Sequence, residues 1–273
     1  CFCLLTQLQA QVITDSPLYQ QLKASGQLGT VNSEANPSIQ LPVASVKPAS
    51  YTKANACNCY IEPDSTYTLA MAPNDDGSSS LIPIPFTFNL YGQSYNSLYI
   101  NNNGNLTFTG PMATFSATAF PSVGNAIVAP FWGDVDTRNG NGQVLYKITP
   151  TAVYVNWVAV GYYAFHGDKL NTFQLIITNG SDPVIDGGNV AFCYQNMDWT
   201  TGDASQGING FYGVPATCGA NKGDGVSYFL ISRFDHPGND FDGALGNPDG
   251  IDWLDYKSFA FDASNSGNIP PIP

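Results

Sequence analysis

The feature that most constrains the fold is a long series of short strand-like runs, each bounded by turn residues. Residues 86–91 alternate rings with polar side chains, and 101–104 join two further runs in the pattern of a β-hairpin. Residues 126–132 have the composition of a buried strand in which Pro130 marks a bulge or an edge. The other runs of this type are 144–148, 152–160, 172–178, 190–194, 207–212 and 227–231. About ten mostly antiparallel strands at this spacing predict an all-β sandwich with long loops and few or no helices.

The charge balance limits the classes of partner that the chain can bind. Lys and Arg total 9 against 21 Asp and Glu, which gives a formal net charge of −12. Such a surface repels phosphate backbones, so the sequence argues strongly against nucleic-acid binding. Glu occurs only at positions 34 and 62, and every other acidic residue is Asp, which favours turns and hard-cation sites over helices. The 27 Gly and 19 Pro residues also favour a turn-rich β protein.

Four segments are expected along the chain. Residues 1–11 resemble the end of a secretory signal peptide. Residues 12–56 are rich in Ser, Ala, Gln and Pro and predict a flexible lead-in with a short helix near Pro17–Ala24. The globular domain is predicted over 57–262, and 263–273 are interpreted as a linker to downstream domains. After the first segment, no run approaches the roughly 20 apolar residues that span a bilayer.

Four cysteines remain once the signal peptide is removed, namely Cys57, Cys59, Cys193 and Cys218. An even number in a secreted chain indicates two disulfides. Cys57 and Cys59 are too close in sequence to pair without strain, so each is expected to bond to one of the two later cysteines. A zinc site is the alternative interpretation, although these cysteines lack the usual paired spacing of zinc ligands.

Several motifs resemble those of a known extracellular family. The strings Asn101-Asn-Asn-Gly-Asn-Leu-Thr-Phe108 and Ile127-Val-Ala-Pro-Phe-Trp-Gly-Asp-Val-Asp-Thr-Arg138 are similar to strings in nidogen-like (NIDO) domains. Further matches follow in the family's order at 171–177, 190–194, 198–199 and 210–211. The resemblance covers about residues 80–231, which is most of the predicted domain.

This resemblance carries an expectation about function. In animals, NIDO domains occur in basement-membrane, mucin-like and tectorin-like proteins and are associated with cell–matrix adhesion. Three segments, 57–59, 199–203 and 250–255, are more similar to the NIDO domains of large secreted proteins from Bacteroidetes-type bacteria. The family has no established catalytic residues, so the resemblance implies a domain that is not an enzyme.

Clustered Asp residues suggest calcium as a ligand. Asp134 and Asp136 place two carboxylates at i and i+2, as calcium loops do, or alternatively they cap turn amides and pair with Arg138. A later group combines alternating oxygen ligands with Gly turns, and its members are Asp240, Asp242, Asp249 and Asp252. Solvated Asp-Gly turns are the other explanation of that group. Asn74-Asp-Asp-Gly77 is interpreted as a turn.

Together these features predict a non-catalytic adhesion or binding module of a larger protein that is secreted or held at the cell surface. The expected partners are matrix or cell-surface proteins and glycans, and other copies of the chain. One alternative is a structural subunit of an extracellular filament or matrix, which would need an exposed strand edge. A second alternative is a carbohydrate-active enzyme, which would need two carboxylates that face each other across a cleft.

Overall fold

The computed structural model describes residues 14–28, 60–234 and 250–265. The strands in these residues are β1 Thr68–Leu69, β2 Ile82–Leu90, β3 Gln93–Asn101, β4 Asn105–Thr107, β5 Ile127–Trp132, β6 Val135–Asp136, β7 Gln143–Ile148, β8 Ala152–Tyr162, β9 His166–Thr178, β10 Val190–Asn196, β11 Thr217–Asn221, β12 Tyr228–Arg233 and β13 Ser258–Phe261. One α-helix, α1, spans Pro17–Ala24, and two short 3-10 helices span Asp203–Ser205 and Gly250–Leu254.

The strands form two antiparallel sheets that pack on each other, which confirms the predicted all-β sandwich. Sheet A has the order β1-β7-β8-β9-β10-β13, and β6 also pairs with β8. Sheet B has the order β12-β11-β5-β4-β3-β2. The described residues contain four strands that were not predicted, namely β1, β6, β11 and β13. β1 and β6 have only two residues each, too few for an alternating pattern to be visible.

Aromatic side chains fill the centre of the space between the sheets. The ring of Phe131 lies 5.5 Å from that of Phe173 and 5.2 Å from that of Trp199, measured between centroids. Trp157 stacks on Phe173 with 5.1 Å between the ring centroids. All four rings come from different strands or loops and are buried, so their contacts hold the two sheets together.

The hairpin predicted at residues 101–104 is confirmed. β3 and β4 pair with Asn101 opposite Asn105, which leaves a three-residue loop between them. Gly104 has a φ of +74°, and a Cβ at this position would lie 1.8 Å from the carbonyl oxygen of Phe131. Only glycine therefore allows the loop to approach β5 so closely.

Two other local predictions have opposite outcomes. The register between β5 and β11 shifts between Thr217 and Gly219, opposite Pro130, so the bulge expected at this proline is confirmed. The strand expected over 207–212 is wrong. Its residues form an isolated bridge within a tight turn, because Asn209 adopts a φ of +55° that is incompatible with an extended strand.

The short helix predicted near Pro17–Ala24 is confirmed. Oγ of Ser16 accepts a hydrogen bond from the N–H of Tyr19 at 3.2 Å, which caps the first turn, and Pro17 occupies a position where its missing N–H costs nothing. The helix lies against the sandwich with Tyr19 and Lys23 buried. Within the described residues, no helix is long and apolar enough to cross a membrane.

The disulfide expected at Cys218 is wrong, since this residue is a free and fully buried thiol. It lies on β11 and points into the core between the sheets, where burial raises the pKa of the thiol. Cys193 lies on β10 and faces the outer side of sheet A, away from that core. Cys57 and Cys59 lie outside the described residues.

Candidate functional site

The crossing from one sheet to the other buries the first carboxylate of the candidate site. β5 belongs to sheet B, and β6, two residues later, pairs with β8 of sheet A. Gly133 and Asp134 form this crossing. A Cβ on Gly133 would lie 3.2 Å from Cβ of Ala216, so the absence of a side chain permits the close passage. Asp134 is held inside the molecule and is 1% exposed.

The turn at residues 74–77 contributes two more carboxylates. Oδ1 of Asn74 accepts a hydrogen bond from the N–H of Gly77 at 2.6 Å, so the segment is the turn that the sequence predicted. The two central residues of this turn are nevertheless not solvated. Asp75 is 0% exposed and Asp76 is 1% exposed, which is rare for carboxylates unless they are paired.

The Asn-rich hairpin loop joins the turn to the crossing. Asn103 donates a hydrogen bond from Nδ2 to Oδ1 of Asp76 at 2.6 Å, and its Oδ1 accepts one from the N–H of Val135 at 3.0 Å. Nδ2 of Asn102 donates to the carbonyl oxygens of Asp75 and Val135. Both asparagines are buried, so the hairpin motif serves as a scaffold that fixes the carboxylates relative to one another.

Helix α1 inserts an ammonium group among these carboxylates. Nζ of Lys23 lies 2.9 Å from Oδ1 of Asp75, 2.7 Å from Oδ2 of Asp76 and 2.7 Å from Oδ1 of Asp134. All four side chains are 0% exposed. An ammonium group has three N–H donors, so it can donate one to each carboxylate. Asp75, Asp76 and Asp134 are called the acidic pocket below.

Two aromatic rings and two further hydrogen bonds complete the contact with α1. The Nζ atom lies 4.3 Å from the ring centroid of Phe115 and 4.2 Å from that of Tyr163, within the range of cation–π attraction. The hydroxyl of Tyr19 donates to Oδ2 of Asp76 at 2.8 Å. The side-chain amide of Gln20 donates to Oδ2 of Asp75 at 3.0 Å. The pocket therefore recognises three positions on one side of the helix.

The acidic pocket carries more negative charge than Lys23 can neutralise. Burial and neighbouring carboxylates raise the pKa of Asp75 to about 8 and that of Asp134 to about 7, against the opposing effect of Lys23. Burial alone would lower the pKa of Lys23, but the charges of Asp134, Asp76 and Asp75 raise it above its usual value. Lys23 is therefore charged at neutral pH, while Asp75 and Asp134 retain part of a proton.

A second cation lies beside the pocket. The guanidinium of Arg138 donates from Nε to Oδ1 of Asp136 at 2.9 Å and from the second terminal nitrogen to Oδ2 at 2.7 Å. Oδ2 of Asp136 also accepts from the N–H of Phe165 at 2.9 Å, and the guanidinium lies 4.2 Å from that ring. The other terminal nitrogen lies 3.4 Å from Oδ1 of Asp15, next to α1. This bidentate pair agrees with the interpretation that Asp136 pairs with Arg138.

The structure does not bring Asp134 and Asp136 together as one pair of ligands, because Asp134 contacts Lys23 and Asp136 contacts Arg138. The oxygens of Asp75, Asp76 and Asp134 lie within 4.8 Å of one another, a spacing compatible with a metal ion, but the ammonium group of Lys23 already lies among them. In the later group, Asp252 lies exposed in a short 3-10 helix. The other three members, Asp240, Asp242 and Asp249, lie outside the described residues.

Sequence reasoning missed the central residue of the site, Lys23, and the participation of Asp75 and Asp76. One available signal was the scarcity of cations, since only 9 Lys and Arg occur in the chain and Lys23 follows Tyr19 at helical spacing. Nothing local could show that its partners lie 52, 53 and 111 residues away.

Residues 50–224 match a family described as NIDO related, and this region covers more than half of the chain. The chain belongs to the NIDO-related family. Among its relatives, alpha-tectorin of Gallus gallus is 33% identical in an alignment 188 positions long, which covers 58% of this chain and 8% of alpha-tectorin. Nidogen of Drosophila melanogaster is 25% identical in an alignment 198 positions long, which covers 62% of this chain and 14% of nidogen. The chain thus spans a small part of these relatives. No solved structure matches it.

The NIDO-related region contains the whole acidic pocket and Arg138, whereas Lys23 precedes it. The carboxylates therefore belong to the region that matches the family, and the cation that contacts them comes from the segment before it. The site therefore has two parts. One is the acidic pocket, on the turn at residues 74–77 and the sheet crossing, and the other is the set of α1 side chains that bind to it.

Proposed function

We propose that this chain is a non-catalytic extracellular adhesion module of a larger secreted protein. The observation that carries the proposal is membership in the NIDO-related family across residues 50–224, with alpha-tectorin and nidogen among the relatives. The family resemblance associates such domains with cell–matrix adhesion. The relatives' much greater length supports a module within a larger protein rather than a complete one.

The partner we propose is a matrix or cell-surface protein or glycan that presents basic groups. The net charge of −12 would accelerate encounters with such a partner and repel acidic ones. Charge of this kind governs association rate and selectivity more than the final affinity. The binding should therefore weaken as salt concentration rises.

The test is binding of the intact chain, immobilised on beads, to extracellular matrix extracts, cultured cells and a glycan array. We expect saturable binding that falls with salt. An unrelated acidic β-sandwich protein of similar net charge is the control for nonspecific attraction. Absence of saturable binding to all three surfaces would reject the adhesion function, and turnover of an arrayed glycan would favour the carbohydrate-active enzyme instead.

A structural subunit of an extracellular filament or matrix is the second candidate, and one observation favours it. Among the described residues, β12 pairs only with β11, so it forms an edge of sheet B. On this edge strand Tyr228 is 41% exposed and Leu230 is 37% exposed. An uncovered edge with apolar side chains can accept a strand from a neighbour. Substitution of Leu230 by Lys would then prevent polymerisation that the unsubstituted chain shows in sedimentation.

We further propose that Cys193 bonds to Cys57 or Cys59. The support is the course of the chain immediately after these residues. Tyr60 packs against the cluster that contains Cys193, and the N–H of Ile61 donates to Oε1 of Gln174, the residue opposite Cys193 in sheet A. Peptide mapping without reduction should recover a bond between Cys193 and one of the two, and recovery of Cys193 as a free thiol would reject it.

A further inference from the structure

Helix α1 is attached to the sandwich as a ligand is attached to a receptor. The core between the two sheets contains no residue from 14–28, so it is complete without the helix. The apolar residue Leu18 is 55% exposed on the outside of α1. The helix is therefore held by the ammonium, hydroxyl and amide contacts with the acidic pocket, rather than by burial of an apolar face.

The contacts define a specific recognition pattern. Tyr19, Gln20 and Lys23 stand at positions i, i+1 and i+4 of one helix, and each donates a hydrogen bond to a carboxylate of the acidic pocket. Oδ2 of Asp134 is buried and accepts no hydrogen bond within the described residues, so the pocket has an acceptor that α1 leaves unused. Three carboxyl groups and two rings around one Nζ atom make a site for a primary ammonium group.

The connection between helix and pocket does not determine which copy of the sandwich the helix reaches. Residues 29–59 join Leu28 to Tyr60. A connection of this length can extend to roughly 100 Å, at about 3.3 Å per residue, which is enough to reach a neighbouring molecule. The entropic cost of closing such a loop grows only slowly with its length, so the tether favours docking within one chain but does not prevent docking on a neighbour at high concentration.

We propose that the acidic pocket is an exchangeable binding site for a lysine-bearing helix, and that between molecules it takes α1 of a second copy of this chain. Every copy carries both the helix and a pocket that fits it. Exchange preserves each contact of Lys23 and places a cation between molecules whose net charge of −12 otherwise keeps them apart. Each copy would donate one helix and accept another, a head-to-tail contact that closes into rings or extends into fibres.

In dilute solution each chain holds its own helix. A tether typically gives its attached ligand an effective concentration in the range of roughly millimolar, so a neighbour competes only when copies are crowded. The proposal goes beyond the adhesion function and does not depend on it. Helix exchange concerns contacts between copies of this chain, whereas adhesion concerns a different partner. Failure of helix exchange would leave binding to matrix or cells untouched.

The first experiment mixes two variants that cannot close on themselves. Lys23→Met lacks the ammonium group but keeps the pocket, and the double variant Asp75→Asn with Asp134→Asn lacks the pocket but keeps Lys23. We expect each alone to have the mass of one chain, and a concentrated equimolar mixture to approach roughly twice 29.2 kDa by light scattering. The matched control mixes Lys23→Met with a triple variant that combines Lys23→Met, Asp75→Asn and Asp134→Asn, and it should stay at the mass of one chain. A mixture no heavier than its components would overturn the proposal.

The second experiment uses the unsubstituted chain and needs no variant to fold. Sedimentation equilibrium from 10 µM to about 2 mM should show a mass that rises with concentration, in the range where tethered and intermolecular docking compete. A synthetic peptide of residues 14–28 should suppress that rise, and the same peptide with Lys23→Met should not. Constant mass over the whole range, or a rise that both peptides suppress equally or neither suppresses, would overturn the proposal.

Discussion

Lys23 and Arg138 are neighbouring cations that solve the same electrostatic problem in different ways. Lys23 is fully buried and contacts three carboxylates, the most distant of which is 111 residues away in the chain. Arg138 remains 15% exposed on its side chain and makes its main ion pair with Asp136, two residues before it. The two sites also touch, since the guanidinium lies 3.5 Å from Oδ2 of Asp75. Burial and distance along the chain, rather than charge, distinguish them.

The comparison shows that burial determines how much stability an ion pair contributes. A buried charge gives up its hydration, so its partners must be present and well placed, and removal of one leaves the others uncompensated. A partly exposed charge retains water and loses little when its partner is removed. We therefore expect Lys23 to control the stability and attachment of α1. Arg138 should affect the local geometry of β6 and of the turn between β8 and β9.

Replacement of each cation by methionine should give the largest difference in stability between the two sites. Lys23→Met should lower the free energy of unfolding by about 3–5 kcal/mol, because three carboxylates lose their only buried cation. Arg138→Met should cost about 1–2 kcal/mol, because Asp136 keeps its hydrogen bonds from backbone N–H groups. Urea unfolding at pH 7 measures both. Equal losses would show that burial does not separate the two sites.

The pH dependence of stability should come from the acidic pocket. The pKa values of Asp75 (about 8) and Asp134 (about 7) are raised in the folded state above the ordinary 3.8, so the folded state binds more protons than the unfolded state between about pH 4 and 8. The stability that these groups contribute is complete below pH 4 and is lost as the pH rises towards 8. Asp255, with a pKa raised to about 6 by burial, adds to the same trend at its lower end.

Asp134→Asn should remove one titrating group from that range. The slope of unfolding free energy against pH should become shallower by at most about 1.4 kcal/mol per pH unit between pH 4 and 7. Chemical unfolding at pH 5, 6, 7 and 8 measures the slopes, and an unaltered slope in Asp134→Asn would contradict the assignment.

The same contrast explains how much could be predicted from the sequence. The hairpin at 101–104, the bulge at Pro130 and the Asp136–Arg138 pair depend on residues close in the chain, and local chemistry determined all three. The burial of Asp75 depends on which strands lie side by side and on what covers the turn. The alternation of apolar and polar residues in the sequence reveals neither. For the same reason, sequence reasoning paired Cys218 with a distant cysteine although β11 points it into the core.

Conservative exchanges of the two cations test whether each site requires the shape of its side chain as well as its charge. Lys23→Arg places a larger planar guanidinium where three carboxylate oxygens lie 2.7–2.9 Å from one Nζ atom, and we expect a loss of about 2 kcal/mol from overpacking. Arg138→Lys replaces two parallel hydrogen bonds by a single ammonium contact and should cost about 1 kcal/mol. Thermal unfolding of both variants at one pH tests the order, and a greater loss at Arg138 would reverse it.

Salt should produce the smallest effect and should act on one site only. Ions in solution screen charges that contact water, so raising NaCl from 0.05 M to 1 M should reduce the coupling between Arg138 and Asp136 by roughly 0.5 kcal/mol. The coupling between Lys23 and Asp134 should not change, because both side chains are 0% exposed and no ion can approach them. Double-mutant cycles at the two salt concentrations measure each coupling energy. A loss at the Lys23 pair would mean that high salt increases the population in which α1 is released from the pocket, the state through which the helix would exchange between copies.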